Sequence, residues 1–373
     1  MARKILIICV DGLGPEYLAA AHTPTLDRLR GEGFATVGRC VIPSLTNVNN
    51  VSIITGAPPR EHGITANYWR DGRTGEETLM ESADFVLRPT ILQRAKAMGL
   101  TTALLTAKRK LLHLLGAGAD YTLAAEAPDA DMVRRVGPAE DIYSPGINPW
   151  LFRALRVTLR ERNPDLVYCS TTDGMMHKHA PDQEQSVRHV EELDGILGQI
   201  VDDDPQREVY LTADHGMSAK SEGLDLGQVL LAQGIAARSV PLIKDRYVAH
   251  HQNLGGATYV YLEQPEQLQP ALAVLCDTLG VEYAQERVAA AAELELMPER
   301  IGDILALADR ATVFGSFPAA RVEVSLRSHG SRHESAVPIM AWGREKYPRY
   351  ERNFDVVARL GLESAGNPLE ACG

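Results

Sequence analysis

The sequence holds no block of lysines and arginines, no Cys-x-x-C pair, no internal repeat and no apolar run long enough to cross a membrane. The first absence, with a net charge of −11, speaks against a nucleic-acid groove. The five cysteines, Cys9, Cys40, Cys169, Cys276 and Cys372, are scattered and odd in number, which argues against a disulfide framework or a thiolate zinc site. The apolar run that opens at Ile5 stops after six residues at Asp11-Gly12, too short for a secretion signal. It reads as a buried parallel strand, and a cytoplasmic location away from membranes is the expectation.

What is present points to a mixed fold. A hydrophobic content of 45% allows a substantial core, and 373 residues suit one large α/β domain with an insertion, or two domains. Residues 4–10 are expected as a strand. Residues 23–29 carry a capping threonine and helical apolar spacing, with Gly31 and Gly33 as a stop. A helix over 48–55 ends at Gly56, and 56–71 are loop-rich. A helix over 90–98 precedes a strand over 101–105, whereas 126–150, rich in Asp and Pro, read as loop. A helix over 149–162, a strand over 165–170, a helix over 183–200 and a strand over 208–213 follow. This alternation predicts a doubly wound, mainly parallel α/β sheet. From 224 to 315 the rhythm changes, with strands over 258–262 and 287–296 and a helix over 266–279. That stretch reads as a smaller α+β cap insertion, leaving 1–223 and 316–373 as the core. A strand over 336–342 resumes the main pattern, and the tail from Gly361 is expected to be loosely held.

Residues that carry chemistry collect where strands end, the edge at which open α/β sheets gather functional groups. Four such ends hold Asp, His or both: Asp11; Asp173 with His177; Asp214-His215; and His329-Gly330, with His333 four residues further on. Carboxylate and imidazole together suit zinc. Asp173 and His177 stand four apart, so one helical turn points both at one ion. The stretch Ser44-Leu45-Thr46-Asn47-Val48-Asn49-Asn50 follows a turn-like Ile42-Pro43 and opens a helix, so the Thr46 hydroxyl sits at the positive helix end, where an anion is welcome. A threonine hydroxyl needs a metal or a base to become a nucleophile near neutral pH. Two cations side by side would activate it and clamp a phosphoryl transfer. Taken singly, each motif is an ordinary turn, cap or ion pair, and the signal lies in their joint placement. His62 reads as a loop-packing residue, and His179, His250 and His251 as surface or cap residues.

In Val10-Asp11-Gly12, the helix-opening Thr46, Asp173 through His177, Asp214-His215-Gly216 and His329-Gly330, in that order, the sequence resembles the alkaline phosphatase superfamily. The resemblance implies two zinc ions per chain. Asp11, Thr46, Asp214 and His215 would hold one, and Asp173, His177 and His329, preferred over His333, the other. A nucleophile on the metal places it with the nucleotide pyrophosphatase/phosphodiesterase branch. Within that branch the sequence is similar to the phosphonoacetate hydrolases, through Thr46-Asn47-Val48-Asn49-Asn50 with Thr55-Gly56 and Pro58-Pro59, His62-Gly63-Ile64 through Asn67-Tyr68, and Thr106-Ala107-Lys108-Arg109-Lys110-Leu111. This likeness implies that Lys108 and Lys110 hold a substrate carboxylate and that Asn67 contacts the phosphoryl group. It further implies zinc-dependent hydrolysis of the C–P bond of phosphonoacetate through a phosphothreonine, a small-molecule phosphonate substrate and a homodimer. A phosphodiesterase or phosphomonoesterase on the same two-metal site is the alternative, and a phosphomutase a more distant one.

Overall fold

The computed structural model describes residues 3–72 and 74–362. The expected loose tail lies, from residue 363 on, outside the described residues, as does Cys372; the other four cysteines are free thiols.

Among the described residues the central sheet has seven strands, in the order Phe34–Arg39, Ala336–Trp342, Glu208–Thr212, Ile5–Cys9, Leu166–Ser170, Thr102–Thr106 and Tyr121–Ala124. The last five run parallel, and Ala336–Trp342 is antiparallel to both of its neighbours. The sheet is doubly wound because Ile5–Cys9 is buried on both faces, so alternate side chains need cover on opposite sides. Ile5, Ile7 and Cys9 share a core with Val48, Val51 and Ile54 of the helix Thr46–Thr55, and with Ile91 and Leu92. Leu6, Ile8 and Val10 pack instead with Leu26 and Leu29, Leu151 and Leu155, and Leu193 and Leu197, from three helices on the other face.

Residues 224–315 carry a four-stranded antiparallel sheet in the order Ala237–Pro241, Ala257–Leu262, Ile304–Ala308, Val281–Glu286, with the helix Leu268–Cys276 against it. A three-stranded sheet of Thr312–Phe314, Ser218–Leu224 and Arg321–Ser328 joins this part to the rest. Val240, Leu242 and Tyr259 enter the same apolar cluster as the helix Thr46–Thr55, so the two parts pack as one body there.

Several expectations need correction. Residues 287–296, expected as a strand, form the helix Arg287–Leu294, because four consecutive alanines favour helix and offer a strand little side chain to pack. The supposed loop 126–150 contains the helix Ala130–Val136, capped by the Asp129 side chain on Met132 N at 2.8 Å. The helix Pro24–Glu32 runs through Gly31 and stops at Gly33, and its Thr23 makes no side-chain cap bond. Phe34–Arg39, an edge strand with no counterpart in the sequence reading, is half-buried and pairs with Ala336–Trp342, with one isolated bridge from Arg39 to Arg352 on its other side.

His62 is fully buried, as a packing residue should be. Its Nδ1 accepts from Ile64 N at 3.1 Å, so Nε2 carries the proton and donates to Ser52 Oγ at 2.8 Å, which in turn donates to Val48 O. Burial pulls its pKa down to about 3, so the unfolded chain takes up a proton below about 6.5 that the folded chain refuses. Stability from this group is complete above pH 6.5 and is lost as pH falls towards 3. The slope is about 1.4 kcal/mol per pH unit inside that window. Chemical denaturation of His62→Gln at pH 7.5, 6, 5 and 4 is expected to fall more gently with pH than the parent protein by roughly that slope.

Candidate active site

Three parallel strands of the central sheet end in acids. Asp11 follows Ile5–Cys9, Asp173 follows Leu166–Ser170 and Asp214 follows Glu208–Thr212. Because these strands are neighbours in register, their carboxyl ends lie side by side, and all three carboxylates are buried. Gly12 lets Asp11 and Asp173 approach: it has φ +77°, and a Cβ there would come within 3.0 Å of the Asp173 Cβ. Its N–H donates to Asp214 Oδ1 at 3.1 Å.

The imidazoles come from separate elements. His177 lies on the one-turn helix Gly174–Lys178, His215 directly follows Asp214, and His329 follows the strand Arg321–Ser328. Each Nδ1 faces a backbone carbonyl: His177 that of Arg327 at 2.7 Å, His215 that of Gly216 at 2.9 Å and His329 that of Ser44 at 2.7 Å. A carbonyl only accepts, so each Nδ1 holds a proton, and in a neutral imidazole each Nε2 then presents a lone pair. Those lone pairs point at carboxylates. His177 Nε2 is 2.8 Å from Asp173 Oδ2, and His329 Nε2 3.5 Å from the same atom. His215 Nε2 stands 3.4 Å from Asp11 Oδ1 and 3.6 Å from Asp214 Oδ2.

Lone pair against carboxylate is repulsive unless a cation lies between, and Asp11 Oδ1 and His177 Nε2 are buried without a hydrogen-bond partner. Asp173, His215 and His329 form one group whose ligand atoms lie within 4.8 Å of one another; Asp11, Asp214 and His215 form a second. The donor set therefore fits divalent metal ions, with neutral imidazoles oriented by their carbonyl bonds. The electrostatics agree. Burial, with Asp173 beside it, pushes Asp214 up to about 6 and holds Asp11 well above the usual carboxylate range. Burial acts on Asp173 in the same direction, but the Lys108 ammonium at 2.9 Å opposes it, and its carboxyl lies well below that range. Burial lowers both His215 and His329, which stack at 3.5 Å, so both are neutral.

Thr46 is the first residue of its helix, and its Oγ1 lies 3.3 Å from His215 Nε2. The turn that carries it is tied to the His329 loop: Ser44 Oγ accepts from Gly330 N at 3.0 Å and donates to Ser331 O at 2.7 Å. Asn67 Oδ1 accepts from Asn47 N at 3.3 Å beside Thr46, while Nδ2 donates to Ile243 O. Lys108 Nζ bridges Asp11 Oδ2 at 3.0 Å and Asp173 Oδ1 at 2.9 Å. Lys110 Nζ pairs with Asp245, and the Tyr247 ring lies 6.0 Å and 5.5 Å from the two ammonium groups. All ten residues singled out from the sequence, Asp11, Thr46, Asn67, Lys108, Lys110, Asp173, His177, Asp214, His215 and His329, are thus buried around one sheet edge. His333 pairs with Glu282 away from it, and His179 caps the helix Gly174–Lys178.

Some neighbours were misread or missed. His250 and His251, read as surface or cap residues, are buried, with ring centroids 6.2 Å and 6.1 Å from that of His177. Asp245 and Tyr247 come from the same stretch, whose loop-like sequence gives no periodicity to place it. Asn50 Nδ2 donates to Thr46 O at 3.0 Å and Asp214 Oδ2 at 3.1 Å, while Oδ1 accepts from Tyr168 and Ser170. Its signals were its place in the Thr46-to-Asn50 passage and its position four residues after Thr46 on the same helix face.

A family model described as type I phosphodiesterase / nucleotide pyrophosphatase matches residues 5–332. The chain is similar to the phosphonoacetate hydrolase of Sinorhizobium meliloti 1021, solved with phosphonoacetate and with phosphonoformate: 33% identity, TM-score 0.86, covering 95% of this chain and 94% of that one. Murine ectonucleotide pyrophosphatase / phosphodiesterase 5 shares the fold at 16% identity, with a TM-score of 0.70 over 96% of this chain and 94% of that one. Bis(5'-adenosyl)-triphosphatase ENPP4 of Bos taurus is 27% identical over 233 residues, 59% of this chain and 48% of that protein. The curated relatives it matches are longer proteins, of which it spans between about a quarter and a half. The chain belongs to the type I phosphodiesterase / nucleotide pyrophosphatase family of hydrolases, within the alkaline phosphatase superfamily.

Proposed function

We propose that this protein hydrolyses the C–P bond of phosphonoacetate to acetate and phosphate, using two Zn2+ per chain and a phosphothreonine at Thr46. The observation that carries the reading is the pair of buried lysines, Lys108 and Lys110, set beside the carboxylate–imidazole cluster. The likeness of nearly the whole chain to a phosphonoacetate hydrolase supports it. Phosphonoacetate carries anionic groups at both ends, so its site needs two cationic regions. Asp11, Thr46, Asp214 and His215 would hold one metal ion, and Asp173, His177 and His329 the other. When bound, the ions would lower the pKa of the Thr46 hydroxyl and neutralise phosphonate oxygens.

Thr46 Oγ1 attacks phosphorus in line, the O–P bond forming as the P–CH2 bond breaks. The electron pair of that bond passes to the methylene carbon and spreads into the carboxylate. Lys108 and Lys110 stabilise this enediolate-like charge, so their contribution grows towards the transition state. Each ammonium has three N–H donors, of which Lys108 commits two and Lys110 one to protein carboxylates, leaving donors for the substrate. Asn67 Nδ2 donates one N–H to Ile243 O, and its second would donate to a phosphonate oxygen. The Thr46 proton passes to solvent and the carbanion takes one from water to become acetate; a second water then attacks phosphorus, breaking the Thr46 O–P bond, releasing phosphate and returning a proton to Thr46 Oγ1. In this reading residues 224–315 cap a core of 1–223 and 316–373, and the enzyme is a cytoplasmic homodimer. No helix among the described residues is long and apolar enough to cross a membrane.

The test compares phosphate release from phosphonoacetate with that from 4-nitrophenyl phosphate, which has no carboxylate. Lys110→Ala is expected to lower kcat/KM for phosphonoacetate by about 10- to 100-fold more than for the ester, the loss of a charge-assisted contact. Equal damage to both substrates would remove the carboxylate role. The family match favours one other reading, a phosphodiesterase on the same metal site. A nucleotide diester turned over faster than phosphonoacetate would put that reading first.

A further inference from the structure

We infer that His250 contacts the substrate at the carboxylate end, as a specificity residue beside Lys108 and Lys110. The inference rests on the reading of the site as one for a carboxylated phosphonate. The stretch that carries His250 reaches out of the 224–315 region and is fastened over the lysines by three consecutive side chains. Asp245 pairs with Lys110, Arg246 with Glu81 at 3.1 Å, and the Tyr247 hydroxyl donates to Glu126 at 2.6 Å. Within the stretch, His251 Nε2 donates to Asp245 Oδ1 at 2.9 Å and its Nδ1 accepts from Asn253 N at 3.0 Å. Asn253 Oδ1 accepts in turn from Asp245 N.

His250 is the exception. It is 9% exposed, and both ring nitrogens are buried without a hydrogen-bond partner. A buried imidazole left so is costly, and such a group calls for a partner such as a bound ligand. Its surroundings place that ligand. The ring lies 4.5 Å from the Tyr143 ring, 6.2 Å from that of His177 and 6.3 Å from that of Tyr247, whose own face lies towards both lysine ammonium groups. Room for it is made by Gly174, the residue after Asp173, where a Cβ would come within 2.7 Å of His250 Cε1. An imidazole in this position can offer an N–H to an anion.

The experiment measures binding by calorimetry to the zinc-loaded Thr46→Ala protein, which cannot turn substrate over, with and without His250→Ala. The ligands are phosphonoacetate and inorganic phosphate. Removing the imidazole is expected to weaken phosphonoacetate about 10- to 100-fold more than phosphate, and His250→Gln, whose amide can donate, to recover part of the difference. With Thr46 intact, the ratio of kcat/KM for phosphonoacetate to that for 4-nitrophenyl phosphate should fall by a similar factor. Equal weakening of both ligands, or none, overturns the inference. If the parent protein binds phosphonoacetate but releases no phosphate from it, the proposed function fails while the binding ratio still decides the role of His250. If it does not bind phosphonoacetate at all, both fall.

Discussion

Thr46→Ala is expected to cut phosphate release from phosphonoacetate by on the order of 10^4- to 10^6-fold, the scale of losing a covalent nucleophile. The fold should survive the change. Thr46 starts its helix, its side chain supplies no cap bond, and helix Thr46–Thr55 is held by Val48, Val51 and Ile54 in the core and by the left-handed Gly56 at its end. What alanine removes is one hydroxyl, 3.3 Å from His215 Nε2. Thr46→Ser, which keeps the hydroxyl, should retain far more activity than alanine, and that contrast separates chemistry from packing. Acid-quenched parent protein should yield a peptide bearing Thr46 with one added phosphoryl group, and the alanine variant none. An alanine variant retaining a tenth of the parent rate would instead mean that water attacks phosphorus directly.

The three acids beside this residue were legible in the sequence for one shared reason. Each acid stands just past a fully buried strand, and parallel strands put all their carboxyl ends on one edge. Asp173 and His177 were legible as a pair because a single turn, closed by His177 N to Asp173 O at 3.1 Å, fixes their spacing. Lys108 and Lys110 were placed by resemblance, since a basic turn carries no sign of what it faces. Local pattern failed where tertiary contact decides. Nothing in the residues around 245–251 says that they fold back over Lys110, and His250 read as surface for that reason. The strand expected at 287–296 failed for a local cause, the alanines that favour helix. The edge strand Phe34–Arg39 exists because Ala336–Trp342 offers it a free side, information held three hundred residues away.

Chelation should have an effect comparable to the loss of Thr46. Dialysis against a strong chelator is expected to lower the rate by at least about 10^3-fold, and added Zn2+ to restore it. Six side chains meet here, Asp11, Asp173, Asp214, His177, His215 and His329, with imidazole Nε2 atoms 2.8 to 3.6 Å from carboxylate oxygens. Among the described residues Lys108 is the one lysine or arginine bonded within that group, to Asp11 and Asp173, with no ion pair to Asp214. Bound cations would relieve the remaining repulsion, so they should stabilise the fold as well as the reaction. Saturation a thousandfold above Kd contributes about 4 kcal/mol per site, which in a melting experiment appears as a rise of several degrees. Asp214→Asn separates the two metal positions. The amide keeps the size of the side chain and can still accept from Gly12 N, but it removes the negative charge from the group formed with Asp11 and His215. Elemental analysis should find about two zinc ions per chain in the parent and about one in this variant, with activity that excess Zn2+ does not restore. A variant that still binds two ions at full strength would mean that Asp214 is held by Asn50 and Gly12 for structural reasons and is no ligand.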